Sequence, residues 1–292
     1  KPYVGEIPLR ELTTYHIQRM LDSTGGGKSL FIKVYNVIHG ALEKAEETGM
    51  IPRNPCKGVA FPEDDEKEMR VLTQEEQQRF IAALDGEYYK VMLLTYLYTG
   101  MRAGECIPLQ WRDIDLSKRT IRVNKKAILN HDFAKHSAKQ EIQHFCKTKS
   151  SKRTVTITEG LTAILAEHKE NMRERAEALG LEWSEDSLVF WNTRNKIVQY
   201  SNLKESLNKI YRKAGIEGAT MHTLRHTYAT RCFEAGVEIK AISEQLGHKD
   251  VKTTYNIYIH LLDDTRAKEI DKLSGIDKFI TSEPETGSAI VI

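Results

Sequence analysis

Apolar residues recur every three or four positions in several long stretches of the chain, which is the spacing of amphipathic helices. The clearest stretch runs from Lys28 to Thr48 and stops at Gly49, a residue type that often ends helices. The segment from Tyr89 to Thr99 is almost entirely apolar, which predicts a buried helix. Shorter amphipathic patterns predict further helices at 9–21, 159–179, 202–214 and 221–235. The chain is therefore predicted to be mainly helical.

Beyond Trp111 the apolar residues alternate with polar ones, which is the period of a strand with one buried face. Ile121 and Val123 follow this pattern, and the run TVTIT at 154–158 predicts a matching strand. The polar segment 130–145 between them predicts an extended hairpin or an insertion within the same sheet. The whole pattern is typical of a mainly α fold with a small antiparallel β-sheet, an α+β class.

A change of composition divides the chain. The stretch FPEDDEKEMR at 61–70 is acidic and lacks apolar periodicity, so it separates a helical unit from the rest. At 292 residues the chain is long enough for two domains. We place a helical domain at 1–62, a linker at 63–70, a larger domain at 71–274 and a tail at 275–292. Thr73 and Glu76 have the spacing of a capping box and are expected to open the larger domain.

Composition argues against several classes of protein. No apolar run approaches the roughly 18 residues that a membrane span requires, so no membrane partner is expected. Cys56, Cys106, Cys146 and Cys232 are scattered without a CxxC pair, which argues against a disulfide framework and against a zinc site. This usage favours a reducing cytoplasm. The first residue is Lys1 rather than Met, which is consistent with a fragment of a longer protein.

The net charge of +2 does not indicate a nucleic-acid partner, but the distribution of charge is uneven. From Lys118 to Arg153 eleven Lys or Arg residues stand against two acids, Asp132 and Glu141. Local positive charge binds a phosphate backbone by releasing its counterions. The alternative is a solvated hairpin face, the usual reason for a run of charges. The candidate DNA contacts in this segment are Lys125, Lys126, Lys149, Lys152 and Arg153.

A cluster of chemically capable residues lies between Met221 and His260. His222 and Arg225 are three residues apart on a predicted helix, so both project from the same face. His248 follows a Leu-Gly pair, where a loop can direct it at a shared pocket, and Tyr258 lies ten residues further on. An Arg, two His and a Tyr gathered in this way can hold a phosphate and attack it with a phenol oxygen.

These motifs, HxxR, LGH and a Tyr in the setting IYxH, resemble the catalytic region of the tyrosine recombinase (phage integrase) family. That family also has an arginine after a helix ending in TG, and the run TGMRAGE supplies Arg102, with Glu105 one turn later. The resemblance spans roughly Val71 to Leu273, and the order and spacing of several motifs make it specific. It implies a conjugative-transposon or phage-type integrase.

The resemblance implies that Tyr258 is the nucleophile, which forms a 3′-phosphotyrosine and frees a 5′-hydroxyl. Tyr255 is its rival within the motif, and core packing is the alternative role for Tyr255. A phenol with a pKa near 10 needs help to lose its proton. His222 is the expected base or proton acceptor, and His248 is expected to donate a hydrogen bond to the scissile phosphate. His226 is expected to be structural and off the HxxR face.

The resemblance also assigns the charged residues. Arg102 and Arg225 would each grip phosphate oxygens and stabilise the phosphorane, and Glu105 would hold Arg102 in place. The leaving 5′-oxygen needs a proton, which the family supplies from a lysine in a strand turn. The run KTKSSKR resembles the family's KTxxSxR pattern, which aligns Lys147 with that lysine. Counting back from the strand TVTIT favours Lys149 instead, so both remain candidates.

The favoured function is a site-specific recombinase or integrase of a mobile genetic element that cuts and rejoins double-stranded DNA. No metal-ligand motif and no P-loop is present in the sequence, so no metal, ATP or other cofactor is expected. The family resemblance implies a two-domain C-clamp around DNA, with 1–62 as a truncated core-binding domain and 71–274 as the catalytic domain. It further implies a homo-oligomer, dimer to tetramer, on DNA. We expect a bacterial cytoplasmic location, at the nucleoid when the protein acts.

The sequence leaves three points open. A type IB topoisomerase would share the phosphotyrosine chemistry but reseal the same strand. A DNA-binding regulator on the same scaffold would need no catalysis, and the complete Arg, His and Tyr set counts against it. The tail at 275–292 ends in the apolar residues IVI, and it is either a frayed end or a segment that docks on a neighbouring protomer.

Overall fold

The computed structural model describes residues 3–25, 27–63, 69–132, 137–145, 152–252 and 254–255. The chain forms two compact units, Lys1–Glu68 and Met69–Ile292. Helices predominate in both, and strands occur only in the second unit within these ranges, so the predicted mainly α fold with little antiparallel β structure is confirmed. No helix in the described ranges is long and apolar enough to cross a membrane.

Two helices build the first unit, α1 at Thr14–Asp22 and α2 at Gly27–Glu47, with short 3-10 turns at Leu9–Glu11 and Pro55–Gly58. They enclose a small core made of Ile17, Leu21, Phe31, Leu42, Ala45, Ile51 and Cys56. Buried Asn54 ties the chain after α2 back onto that helix, because its Nδ2 donates to the carbonyl of His39 and to the carboxylate of Glu43. The first unit therefore has a hydrophobic core of its own.

The second unit is built around one buried helix. Its described helices are α3 at Gln74–Ala83, α4 at Lys90–Thr99, α5 at Ala103–Cys106, α6 at Glu159–Ala178, α7 at Tyr200–Lys213, α8 at Met221–Glu234 and α9 at Ile239–Leu246. α4 is buried on nearly all sides and packs against α6 and α8, as its apolar sequence predicts. The predicted capping box of α3 is also confirmed, since Thr73 and Glu76 exchange hydrogen bonds of 3.0 and 3.1 Å.

The strands form two separate antiparallel sheets rather than the one sheet that the pattern predicts. β1 at Ile114–Asp115, β2 at Thr120–Val123 and β5 at Arg153–Thr156 make a three-stranded sheet in the order β1-β2-β5. β3 at Lys125–Asp132 pairs with β4 at Ser137–His144 along its whole length. The hairpin pairing continues one residue beyond β3 and β4, because the carbonyl of Asn124 accepts from the N–H of Phe145.

Lys125 lies in the interior, and the prediction that it contacts DNA is wrong. Its Nζ donates to Oδ2 of Asp113 and to Oε1 of Gln110, both at 2.6 Å. Lys125 and Asp113 are each 3% exposed. Asn124 donates to the other oxygen of Asp113, so the carboxylate is bonded on both sides. The pair fixes the start of the β3–β4 hairpin against the turn before β1, and the buried Lys125 ammonium is not accessible to a phosphate.

We expect Lys125→Met to lower the free energy of unfolding by about 3–5 kcal/mol, because the buried Asp113 carboxylate loses its cation at 2.6 Å and keeps Arg122 at 3.7 Å. Urea unfolding followed by circular dichroism measures this loss. Lys118→Met is the matched control, since Lys118 pairs with Asp115 in solvent and its removal changes stability little. Equal stability of the two variants would contradict the structural role of Lys125.

Candidate active site

Arg102 reaches the site because α4 stops sharply at Gly100. This residue adopts φ +62°, a left-handed conformation that favours glycine. A Cβ at this position would lie 2.4 Å from Cδ1 of Tyr228 and 2.7 Å from Cδ2 of Leu246, so there is no room for a side chain. Arg102 follows two residues later as the residue that precedes α5. The glycine therefore both ends the helix and allows α8 and α9 to approach it.

Glu105 holds Arg102 from the protein side. Its Oε1 accepts from Nη1 of Arg102 at 3.1 Å, and its Oε2 accepts from the backbone N–H of Arg102 at 2.8 Å. The Glu105 side chain is 5% exposed, whereas that of Arg102 is 46% exposed. Burial raises the pKa of Glu105, but the hydrogen bonds and charges of Arg153 and Arg102 outweigh it, and the net pKa lies below its usual value. The carboxylate therefore stays charged and anchors an arginine that faces outward.

Arg225 is the second arginine of the site, and it is held by the ends of two helices. Its Nη1 donates to the carbonyl of Gly100 at 2.6 Å, and its Nη2 donates to the carbonyl of Leu246 at 2.8 Å. The residue is 4% exposed. Burial, followed by the charge of Arg102, lowers the pKa of Arg225 to about 10, so it remains protonated at neutral pH. The guanidinium is fixed in position before any ligand arrives.

His222 and His226 lie one turn apart on α8. His222 is exposed, and burial of part of its ring with the charges of Arg225 and Arg102 lowers its pKa. The two imidazole rings are 6.4 Å apart between centroids. Burial, followed by His222 and Arg225, lowers the pKa of His226 to about 4. His226 thus lies nearer the site than predicted, because residues four apart share a helix face.

His248 is directed by the loop after α9. Gly247 ends that helix with φ +67°, and the N–H of His248 donates to the carbonyl of Ser243 at 3.1 Å. Nδ1 of His248 is 2.7 Å from Oγ1 of buried Thr254. Burial, followed by the charges of Arg225 and Arg102, lowers the pKa of His248 to about 4, so its ring is neutral at pH 7. A neutral ring that donates from Nε2 must accept at Nδ1, and the Thr254 hydroxyl can supply that proton.

We expect Thr254→Val to shift the tautomer ratio of His248 roughly fivefold away from the form with a proton on Nε2, because a hydrogen bond of about 1 kcal/mol is lost, and to slow a reaction that uses this proton by at most the same factor. The tautomer ratio is measured from the imidazole ¹⁵N shifts of the free protein, and the rate from single-turnover assays. Since the pKa of His248 is about 4, the effect should persist unchanged from pH 5 to 8. Thr254→Ser keeps the hydroxyl and is the control. An unchanged tautomer ratio in Thr254→Val would contradict this assignment.

Of these residues, Arg102, Glu105 and His222 line an open, positively charged cavity of about 490 Å³. Its lining includes Arg102, Glu105, Lys126, Arg153, His222, Gly247 and Lys249, together with the aromatic residues Tyr96, Phe145 and Tyr200. Gly104 allows the hairpin to form one wall, since a Cβ there would lie 2.9 Å from the carbonyl oxygen of Ala127. Four cations around one carboxylate make the cavity suited to an anionic ligand such as a phosphate.

The structure places the candidate DNA contacts in different environments. Lys126 lines the cavity and Lys152 is exposed, as contacts to DNA require. Arg153 also lines the cavity, but each of its three nitrogens donates to a protein oxygen of Glu105 or Gln245, so its role as a DNA contact stays a prediction. A charge run gives no indication of such partners, which lie far away in the sequence.

Several predicted residues lie outside the described ranges. These are Lys147, Lys149, Tyr258 and the tail at 275–292. Tyr255 is described and is exposed. Sequence reasoning missed Thr254, for which the only available signal was its position six residues after His248. Within the described ranges no group of three or more His, Cys, Asp or Glu side chains could hold a metal ion.

Residues 70–265, well over half of the chain, match the phage integrase family. The chain is 34% identical over 263 residues to a XerC-like tyrosine recombinase of Caldanaerobacter subterraneus subsp. tengcongensis, which covers 86% of this chain and 67% of that protein. It is 26% identical over 279 residues to the ICEBs1 integrase of Bacillus subtilis, covering 94% of this chain and 73% of that protein. Similarity of this extent shows a common family.

Solved structures show the same fold. The Tn1549 transposon integrase in complex with a circular intermediate DNA matches with a TM-score of 0.74 at 18% identity, over 91% of this chain and 87% of that one. The XerH site-specific recombinase bound to its palindromic difH substrate matches with a TM-score of 0.62 at 19% identity, over 91% and 74%. With a family match over more than half of its length and a relative 34% identical, the chain belongs to the phage integrase family of tyrosine recombinases.

Proposed function

We propose that this tyrosine recombinase is the integrase of a mobile genetic element. It cuts and rejoins strands of double-stranded DNA through a 3′-phosphotyrosine at Tyr258 and requires neither metal nor ATP. The observation that carries the proposal is the pair of preorganised guanidinium groups, Arg102 held by Glu105 and Arg225 held by two backbone carbonyls. Its relatives include transposon and phage proteins, which supports a mobile element as the source.

The geometry suits an in-line transfer of a phosphodiester. Arg102 and Arg225 would bind the two non-bridging oxygens, on which negative charge grows as the phosphorane forms. His222 would accept the phenol proton of Tyr258, and a lowered pKa keeps its ring neutral and able to do so. His248 would donate from Nε2 to the phosphate. The bond to tyrosine conserves the energy of the broken phosphodiester, so religation needs no nucleotide.

The protein would act as a dimer to tetramer on DNA, with residues 71–274 as catalytic domain and 1–62 as core-binding domain. The clamp around DNA, the docking of the tail on a neighbouring protomer and a cytoplasmic, nucleoid-associated location remain predictions. The structures of relatives bound to DNA support the first of these by analogy only.

The test is capture of a covalent adduct between the protein and DNA. Cells that carry the element are lysed in denaturant, the protein is precipitated, and the DNA attached to it is sequenced. A single joined sequence identifies the site, and a nicked duplex of that site then traps the adduct in vitro.

We expect trapping to be unaffected by EDTA, and binding to weaken steeply with salt because phosphate contacts release counterions. A strict requirement for Mg²⁺ would contradict the mechanism. Relaxation of supercoiled DNA without strand transfer would instead indicate a topoisomerase.

The general acid can be assigned with a modified leaving group. We expect Lys147→Ala to slow cleavage on the order of 10²–10⁴-fold on ordinary DNA, because the 5′-oxygen leaves without a proton. A substrate with sulfur at that position should restore the rate, since a thiolate needs no proton to leave. Lys149→Ala is the matched comparison. If sulfur restores cleavage by Lys149→Ala and not by Lys147→Ala, the acid is Lys149.

A further inference from the structure

Arg153 stands where three parts of the candidate site meet. Its Nη1 and Nη2 donate to Oε1 and Oε2 of Glu105 at 3.0 and 2.8 Å, and its Nε donates to the carbonyl of Gln245 at 2.8 Å. The side chain is 10% exposed. A Cβ on Gly247 would lie 2.8 Å from its Nη1, so the guanidinium packs against the residue before His248. One side chain therefore joins β5, α5 and the end of α9.

The two arginines compete for one carboxylate. Oε1 of Glu105 accepts from Nη1 of both Arg102 and Arg153, and Oε2 accepts from the backbone N–H of Arg102 and from Nη2 of Arg153. A carboxylate has about four acceptor positions, and these contacts fill them. Arg153 makes a bidentate pair with Glu105, which is the strongest form of an arginine–carboxylate contact. The Arg102 side chain is consequently held through one nitrogen.

The consequence concerns the free donors of Arg102. Its Nη2 is 3.5 Å from the carbonyl of Gly247, a long contact, and the side chain remains about half exposed at the cavity. If Arg153 were absent, both oxygens of Glu105 would be open to the fork of Arg102. Arg102 and Glu105 would then form a bidentate pair, which would turn the Arg102 guanidinium away from the cavity.

We propose that Arg153 is a positioning residue that saturates Glu105 and thereby keeps the donors of Arg102 free for a phosphate. The expected effect of Arg153 on the rate rests on the proposed function, whereas its expected effect on the position of Arg102 does not. It replaces the predicted role of Arg153 as a DNA contact. The same side chain also links β5, which directly follows the segment with both candidate lysines, to the loop of His248.

The geometric test needs no activity. In a crystal structure of Arg153→Ala we expect both terminal nitrogens of Arg102 within hydrogen-bond distance of Glu105. An Arg102 that keeps its single contact and its exposure would overturn the proposal, whatever the function of the protein. The outcome of this geometric test therefore does not depend on whether the protein is a recombinase.

The kinetic test separates binding from cleavage. With a nicked duplex at saturating concentration, we expect Arg153→Ala to form the covalent adduct about 100-fold more slowly, as for a misplaced catalytic group, while its affinity for DNA changes little. Arg153→Lys keeps the charge but cannot reach three oxygens, so it should stay closer to the alanine variant. Arg173→Ala is the matched control, because Arg173 makes a similar two-nitrogen pair with Glu170 in solvent. A loss of affinity with an unchanged cleavage rate would restore the DNA-contact role and overturn the proposal.

A double variant distinguishes competition from simple destabilisation. Glu105→Gln removes the charge that would capture Arg102, so Arg153→Ala should slow cleavage by a smaller factor in the Glu105→Gln protein than in the unchanged protein. If Arg153 only stabilised the fold, the second change would add to the damage. Thermal unfolding of each variant shows that the compared proteins are folded. An equal or larger slowing by Arg153→Ala in the Glu105→Gln protein would overturn the proposal.

Discussion

Replacing Tyr258 by Phe should abolish the covalent adduct with a nicked duplex while leaving DNA affinity nearly intact. The hydroxyl oxygen is the only heavy atom removed, and in the proposed mechanism it is the atom that bonds to phosphorus. Adduct formation is measured by denaturing electrophoresis, and affinity by fluorescence anisotropy under the same conditions. We expect no adduct above background at any time, which is a larger effect than removal of any charged group.

Tyr255→Phe is the matched control for this experiment, because Tyr255 lies three residues earlier and is exposed. It should form the adduct at close to the normal rate. An undiminished adduct in Tyr258→Phe, combined with its loss in Tyr255→Phe, would move the nucleophile to Tyr255. Adduct in both variants would place the nucleophile elsewhere and contradict the assignment from the IYxH motif.

Arg225→Lys should reduce the rate of adduct formation on the order of 10³-fold, the size expected for loss of a preorganised donor to a charged transition state. A lysine has one nitrogen and cannot bond both Gly100 and Leu246 and still present a fork to the phosphate. The rate is measured at saturating DNA, so that weaker binding does not enter. A rate within about tenfold of the unchanged protein would contradict a direct role for Arg225.

Arg231→Lys separates this effect from loss of stability. Arg231 lies on the same helix but has other partners: it donates to the carbonyl of Leu72 and to Gln77 and pairs with Glu234, whereas Arg225 donates to Gly100 and Leu246. It should lower the thermal stability of the protein in the way that Arg225→Lys does. It should leave the cleavage rate of the folded protein almost unchanged. Equal losses of rate in the two variants would mean that α8 is merely destabilised.

Local signals predicted the frame of the site correctly. The apolar run from Tyr89 to Thr99 predicted a buried helix, and α4 ends at Thr99, where Gly100 adopts a left-handed backbone. The HxxR spacing correctly placed His222 and Arg225 on one helix. These features depend on residues that are close in the sequence, and the chemistry of each residue type is visible there.

Partners that are distant in the sequence could not be predicted in the same way. Lys125 and Arg153 belong to a run of cations that suggests a solvated, DNA-facing surface, yet each is bonded to a carboxylate that the chain brings in from elsewhere. Nothing in the run distinguishes these two from exposed Lys152. Which cation is buried depends on how β2, β3 and β5 meet the rest of the unit, and that is decided by tertiary packing.

The two carbonyls that bind Arg225 have an electrostatic consequence. Gly100 and Leu246 lie at the carboxyl ends of α4 and α9, where each helix carries roughly half a negative elementary charge. Two such ends supply about one full counter-charge, spread over fixed dipoles that cannot move or take up a proton at neutral pH. Glu105 acts on Arg225 only through space. An arriving phosphate therefore meets the Arg225 cation with its charge already balanced by helix dipoles, and it need not displace a carboxylate. A site built in another protein would need the two helix ends as well as the arginine.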